Sequence, residues 1–145
     1  MSLTIRPIEP ADRAEWEPLW RGYLRFYRAR LEPEVTESTW KRLTTPGEGP
    51  YGLVAVKDGQ LIGFTHYHFH RSTWLIEDTC YLQDLYVSPD IRGSGAGRAL
   101  IMAVVEAAKR HGTERVYWLT QEYNADARAL YDTLAKRTSF IVYRR

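Results

Sequence analysis

The sequence predicts an α/β fold of the α+β kind: a mixed, mostly antiparallel sheet of about six or seven strands flanked by about four helices, in one domain spanning residues 1–145. Three observations predict it. Apolar residues recur at helical spacing before Thr44, alternate along the strand-like run from Tyr51, and then switch repeatedly between the two patterns towards the C-terminus. With 145 residues, 44% of them hydrophobic, the chain can bury one sizeable core and is too short for two ordinary domains.

The elements follow in order. "LTIRPIEP" alternates Leu3, Ile5 and Ile8 with polar residues, and Pro7 and Pro10 mark an edge strand or its exit. Asp12 and Glu15 have the spacing of a capping box, and Trp16, Leu19, Trp20, Tyr23, Leu24 and Tyr27 then recur as an amphipathic helix. Pro18 inside this run suggests that the regular helix starts there, because a first-turn proline gives up no hydrogen bond. A second short helix is expected after Thr36, ending at "TTPGEGP". "YGLVAVKDGQLIGFTHYHFH" reads as a hairpin about Asp58–Gly59, and a further strand runs from about Glu77 to Val87. Leu100, Ile101, Val104, Val105 and Ala108 then make a helix that Gly112 stops, "RVYWLT" a strand, "ADARALYDTLAK" a helix, and "SFIVY" a last strand.

Between the strand ending in "LYVSP" and the following helix stands "RGSGAG", Arg92 to Gly97, with glycines at alternate positions. A loop that opens a helix presents backbone N–H groups and the positive end of the helix dipole, which favours phosphate. Glycine lets the backbone approach closely, and Arg92 and Arg98 flank the loop with charge. A Walker loop is excluded because no lysine lies between Arg92 and Ile101. A dinucleotide fingerprint is excluded as well, since Arg98 or Leu100 stands where its last glycine or alanine belongs.

The remaining pattern, Arg92-x-x-Gly95-x-Gly97 after a strand and before a helix, resembles the pyrophosphate loop of the GNAT family of N-acetyltransferases. "NADARALY" strengthens the resemblance, since Asn124 and Tyr131 fall as in that family's later segment, where an asparagine contacts the pantetheine arm and a tyrosine lies near the cofactor sulfur. The look is that of the small polyamine and histone acetyltransferase branch, including the spermidine/spermine enzymes, and the likeness runs from about Tyr51 to Tyr143. One residue departs from that branch. Gln83 stands where those enzymes carry a glutamate, their proposed base, and a neutral amide cannot accept a proton in that role.

The resemblance implies transfer of an acetyl group from acetyl-CoA directly to a primary amine of a small molecule, a polyamine or an amino acid. It implies a cofactor surface made of Leu85, Tyr86 and Val87, whose backbone polarises the thioester carbonyl, and of Arg92, Gly93, Ser94, Gly95, Ala96, Gly97, Arg98, Asn124 and Tyr131. Tyr131 is the implied acid for the departing thiolate, since an ordinary phenol is protonated at neutral pH. At Gln83 and Asp84 the catalytic assignment stays open: Asp84, Glu77 and Glu122 are the carboxylates available for the amine proton, and strand alternation turns Asp84 away from Gln83 unless a bulge intervenes. A protein or histone lysine acetyltransferase, and a non-catalytic acyl-CoA-binding domain, are the alternative readings.

His66, His68 and His70 share one strand face, a spacing that suits a substrate-facing or base role better than a metal site, for which no acidic or cysteine partner stands nearby in the sequence. No metal is expected. A formal charge of +2 argues against nucleic acid, and no apolar run approaches the roughly 20 residues of a membrane span. The lone Cys80 excludes an internal disulfide, and with no signal-like N-terminal stretch the expected setting is a reducing cytosol. Homodimerisation is expected from the family resemblance.

Overall fold

A computed structural model describes residues 2–91 and 93–145. Its sheet has five strands in the order β1-β2-β3-β4-β5: β1 (Leu3–Pro7), β2 (Tyr51–Lys57), β3 (Gln60–His70), β4 (Thr79–Val87) and β5 (Val116–Tyr117). The first four pair antiparallel and β5 joins β4 in parallel, so the class is the mixed α/β arrangement expected, with fewer strands. The hairpin turns at Asp58 and Gly59, both with positive φ (51 and 79), the geometry whose twist matches that of the flanking strands.

Helices α1 (Arg13–Phe26) and α2 (Pro33–Leu43) cover one face of the sheet. Trp16, Trp20 and Leu43 pack there on Val54 and Phe64, and Trp16 is fully buried. Helix α3 (Ala96–His111) covers the other face, where Leu100, Ile101 and Val104 meet Leu53, Ala55, Cys80 and Leu82. Helix α4 (Ala125–Leu134) lies beside it, with Leu130 packed against Gly97 of α3.

Several expectations are corrected. Helix α1 starts at Arg13 and carries Pro18 inside it. The proline forfeits one backbone hydrogen bond, and the burial of Trp16 and Trp20 on either side offsets that loss. The capping box belongs to Glu9 and Asp12 around a preceding short turn; Glu15 instead accepts from the Leu61 backbone N–H at 3.0 Å. Helix α2 begins at Pro33, ahead of Thr36, with proline in its first turn. "SFIVY" forms no strand: β5 is two residues long and offers no edge on which a sixth strand could pair within the chain. Phe140, Ile141, Val142 and Tyr143 are therefore exposed.

Candidate active site

The site is built on one irregularity in β4. His66 pairs with Asp84 and Tyr67 with Leu82, leaving Gln83 as an extra residue. Backbone directions agree. The Cys80 N–H donates to Arg115 on the β5 side at 2.9 Å, whereas the Ser88 N–H donates to Ile62 on the β3 side at 2.8 Å. In an unbroken strand residues an even number apart point the same way, so one residue has been inserted between them. The bulge moves Asp84 onto the face covered by α1 and α2, where regular alternation would have put it under α3.

Asp84 is held there by two donors. The Tyr23 hydroxyl donates to Oδ1 at 2.6 Å and His66 Nδ1 to Oδ2 at 2.9 Å. The Trp16 indole, which can only donate, points at His66 Nε2 at 3.2 Å, so Nε2 is the acceptor and the ring proton sits on Nδ1. Hydrogen bonds to a charged acceptor contribute about 1.5–3 kcal/mol each, enough to fix the carboxylate in one orientation. Burial, reinforced by the charge of Asp84, raises the Tyr23 phenol well above its ordinary value, keeping it a donor.

Asp84 opens on a cleft of about 440 Å³. Its floor carries Gln83, Asp84, His66 and His68; its wall is Leu31 with Val35, Thr39 and Arg42 of α2; Glu48 stands on its rim. His66 and His68 thus share the cleft, although His66 is 2% exposed and has both ring nitrogens engaged, so it orients Asp84 and is not free to act as the base. His70 lies elsewhere and hydrogen-bonds Tyr117 at 2.8 Å.

On the opposite edge of β4 the sheet opens. β5 pairs only through Cys80–Val116 and Tyr81–Tyr117. Counting back from Ser88, the N–H groups of Leu85 and Val87 point into that opening, with Tyr86 facing β3 between them. At its mouth Gly93 and Gly95 have φ of 88 and 86, values that disfavour any side chain, and an added Cβ on either would meet nothing within 4 Å. Ser94 Oγ accepts from the Ala96 N–H at 3.4 Å, and the N–H groups of Gly97 and Arg98 open the first turn of α3. Thr120, beyond β5, has a buried hydroxyl with no partner among the described residues. Open edge amides, a bare cradle at a helix start and an orphaned hydroxyl together fit an extended, phosphate-bearing ligand such as acetyl-CoA.

Two other expected cofactor residues belong to α4: Asn124 at its N-cap and Tyr131 within it. Tyr131 on α4 meets Trp118 edge-on at 5.5 Å, and burial, with a smaller effect of Tyr27, pushes its phenol up to about 12. Tyr27 is in turn raised by burial and then by Asp84, which sets the three groups in one electrostatic neighbourhood. Asn124 Oδ1 caps α4 by accepting from the Ala127 N–H at 3.3 Å. The Arg98 guanidinium reaches Thr133 of α4 at 2.8 Å. Arg92 is outside the described residues.

The rest separates. Glu77 lies in a shallow hollow with Glu114 and Arg115, and the backbone carbonyl of Glu122 accepts from Arg128. Neither lines the cleft of Asp84. No group of three or more metal-ligating side chains occurs among the described residues. Burial holds the Cys80 thiol up at about 12. Tyr23, Trp16, Arg42 and Thr120 escaped the sequence reading: the first two look like any other residue of a buried helical stripe, and the last two carry no motif.

The acetyltransferase (GNAT) family profile matches residues 15–135. The D-amino-acid N-acetyltransferase HPA3 of Saccharomyces cerevisiae is 37% identical over 145 residues, covering 99% of this chain and 90% of that protein. A thialysine N-epsilon-acetyltransferase of Sus scrofa is 36% identical over 95 residues, 66% of this chain and 51% of the relative. Among solved structures, AAC(6')-Iy in complex with the bisubstrate analog CoA-S-monomethyl-acetylneamine superposes with a TM-score of 0.86 at 17% identity, covering 100% of this chain and 98% of that one.

Proposed function

The chain belongs to the acetyltransferase (GNAT) family, and on that premise we propose that it binds acetyl-CoA along the open edge of β4 and acetylates the primary amine of a small molecule, an amino acid foremost. The observation that carries the reading is the bulge at Gln83. One inserted residue turns the Asp84 carboxylate into the cleft and leaves the Leu85 and Val87 amides facing the opening behind it. The carboxylate missing at Gln83 is supplied by its neighbour.

Acetyl-CoA supplies the activated acyl group as a thioester. The Leu85 and Val87 N–H groups, fixed in the strand, are set to donate to a carbonyl oxygen as negative charge builds on it, without reorganising. Asp84 draws the proton from the incoming amine, directly or through one water, while Tyr23 and His66 hold its orientation. Tyr131 keeps its proton at neutral pH and is the donor for the leaving sulfur. Burial makes Tyr131 a weaker acid than free tyrosine, and a thiolate is a weaker base than its phenolate, so Tyr131 stabilises the departing sulfur by donating a hydrogen bond while keeping its own proton, and the thiolate takes its proton from water.

A small acceptor is supported by the modest size of the cleft between α2 and the loop at Glu48, and by relatives named for D-amino acids and thialysine. A homodimer is supported by the exposed apolar segment Phe140–Tyr143. A reducing cytosol suits the free, buried Cys80, and no described helix is long and apolar enough to cross a membrane. The deciding experiment measures thiol release from acetyl-CoA with D- and L-amino acids, polyamines and a lysine peptide. Turnover with an amino acid supports the reading; cofactor binding without turnover on any acceptor would replace it with the non-catalytic acyl-CoA-binding domain.

A further inference from the structure

We propose that Arg42 reads the carboxylate of an amino-acid substrate whose amine is presented to Asp84. The proposal rests on the transferase reading above and adds the residue that selects the acceptor. Val35, Thr39 and Arg42 follow one another at helical spacing along α2, so one face of that helix lines the cleft and Arg42 ends it in the last turn.

Among the described residues the ion pairs leave Arg42 unmatched, as they do Arg25, Arg28 and Arg30, and of these four Arg42 is the one that lines the cleft. Arg6 pairs with Asp12, Arg13 with Glu17 and Glu37, and Arg21 with Glu17. Arg42 has no carboxylate within ion-pairing distance among the described residues, although Glu48 lines the same cleft. A guanidinium offers two parallel N–H donors that match a carboxylate, and it cannot be deprotonated to suit another ligand. The cleft therefore has a cation on its helix wall and an anion, Asp84, on its floor.

That polarity matches a zwitterion in one orientation. A polyamine would bring a second positive charge towards Arg42, whereas an amino acid brings a negative one, and the apolar side chains of Leu31 and Val35 beside Arg42 leave a surface for the substrate's own side chain. A basic residue at the end of a helix also favours the helix dipole, and Lys41 in the same turn already meets that need.

The test compares an amino acid with its primary carboxamide, which keeps the amine and side chain and loses the negative charge, in wild type and in Arg42→Gln. The readout is the ratio of kcat/KM for the acid to kcat/KM for the amide, in which any inactive fraction cancels. The wild type is expected to prefer the acid, and the substitution to lower the ratio by about tenfold or more, carried by KM for the acid. A ratio unchanged by the substitution, with both compounds turned over, overturns the role of Arg42 and leaves the transferase standing. No thiol release by the wild type with any amine overturns the transferase reading and this proposal together.

Discussion

His66 Nδ1 donates to Asp84 Oδ2 at 2.9 Å across the β3–β4 ladder, a contact that exists only because Gln83 is one residue too many for its partner strand. The insertion moves a carboxylate destined for the α3 face to the base of a cleft. The placement of Asp84 then depends on what surrounds it.

Asp84→Asn keeps the shape and can still accept from His66, so the protein folds, but the amide cannot take a proton. The expected loss in kcat is on the order of 10²- to 10⁴-fold with little change in acetyl-CoA binding. Tyr23→Phe removes one of the two donors and leaves the carboxylate, so its loss is smaller, about tenfold. Steady-state kinetics with both variants checks the order; near wild-type turnover in Asp84→Asn would remove Asp84 as the proton acceptor.

Tyr131 yields a prediction about pH. Burial raises its phenol from 10.0 to about 12, so the acid form persists through the range in which a free tyrosine would ionise. The kcat profile of the wild type should rise as amine is deprotonated and then stay level past pH 10. Tyr131→Phe should lower kcat across that whole range. A descending limb centred near the ordinary tyrosine value, absent in the phenylalanine variant, would mean that the phenol is less buried during turnover than in the structure.

How far the sequence reaches is visible in particular residues. Asp58–Gly59 and the helical stripe from Leu100 to Ala108 state their conformations locally, and both elements form as expected. "ADARALYDTLAK" was legible as a helix for the same reason, its apolar spacing being local, and α4 forms over Ala125–Leu134. The bulge was not legible, since nothing at Gln83 says which strand will lie opposite; it exists only in the register with His66 and Tyr67. Tyr23 and Trp16 were hidden for a related reason: their polar atoms meet Asp84 and His66 across more than 45 residues of chain, and from sequence alone they are apolar helix positions. "SFIVY" has the composition of a strand, and its failure to form one reflects the shortness of β5, a property of another segment.

Asp12 contributes to stability in acid. Arg6 holds its carboxylate by two hydrogen bonds of 2.9 Å, the largest cause of a value below the ordinary 3.8. A depressed folded value means that the stabilisation is fully present above the unfolded value and disappears as pH falls through the folded one. Because the Arg6 side chain is 32% exposed, solvent screening limits the pair, and Asp12→Asn is expected to cost about 1–2 kcal/mol at neutral pH. Urea unfolding between pH 7 and pH 2 should show the wild-type and variant stabilities converging as pH drops. A difference that stays constant to pH 2 would assign the loss to packing.

The exposed C-terminal segment predicts the oligomeric state. Phe140, Ile141, Val142 and Tyr143 are 68–90% exposed, a run of strand-forming residues that water disfavours and that a second copy would cover. Light scattering should give twice the chain mass for the wild type and the monomer mass for Ile141→Asp. A wild-type monomer at micromolar concentration would mean that the segment is covered in some other way.

Gly95 tests the phosphate cradle separately from the amine site. At φ 86 an alanine is strained by about 1–2 kcal/mol, yet its Cβ would meet no atom within 4 Å, so Gly95→Ala should fold with a lowered Tm. Relaxation of that strain rotates the amides that open α3, and these are the groups set to receive a pyrophosphate. The expected result is a raised KM for acetyl-CoA with the KM for the amine unaltered, measured by varying each substrate at saturation of the other. Desulfo-CoA, which keeps the phosphates and lacks the thiol, should lose inhibitory affinity in parallel. If the two KM values move together instead, the substitution acts through general loosening of the fold, and the glycine loop is not the element that holds the cofactor.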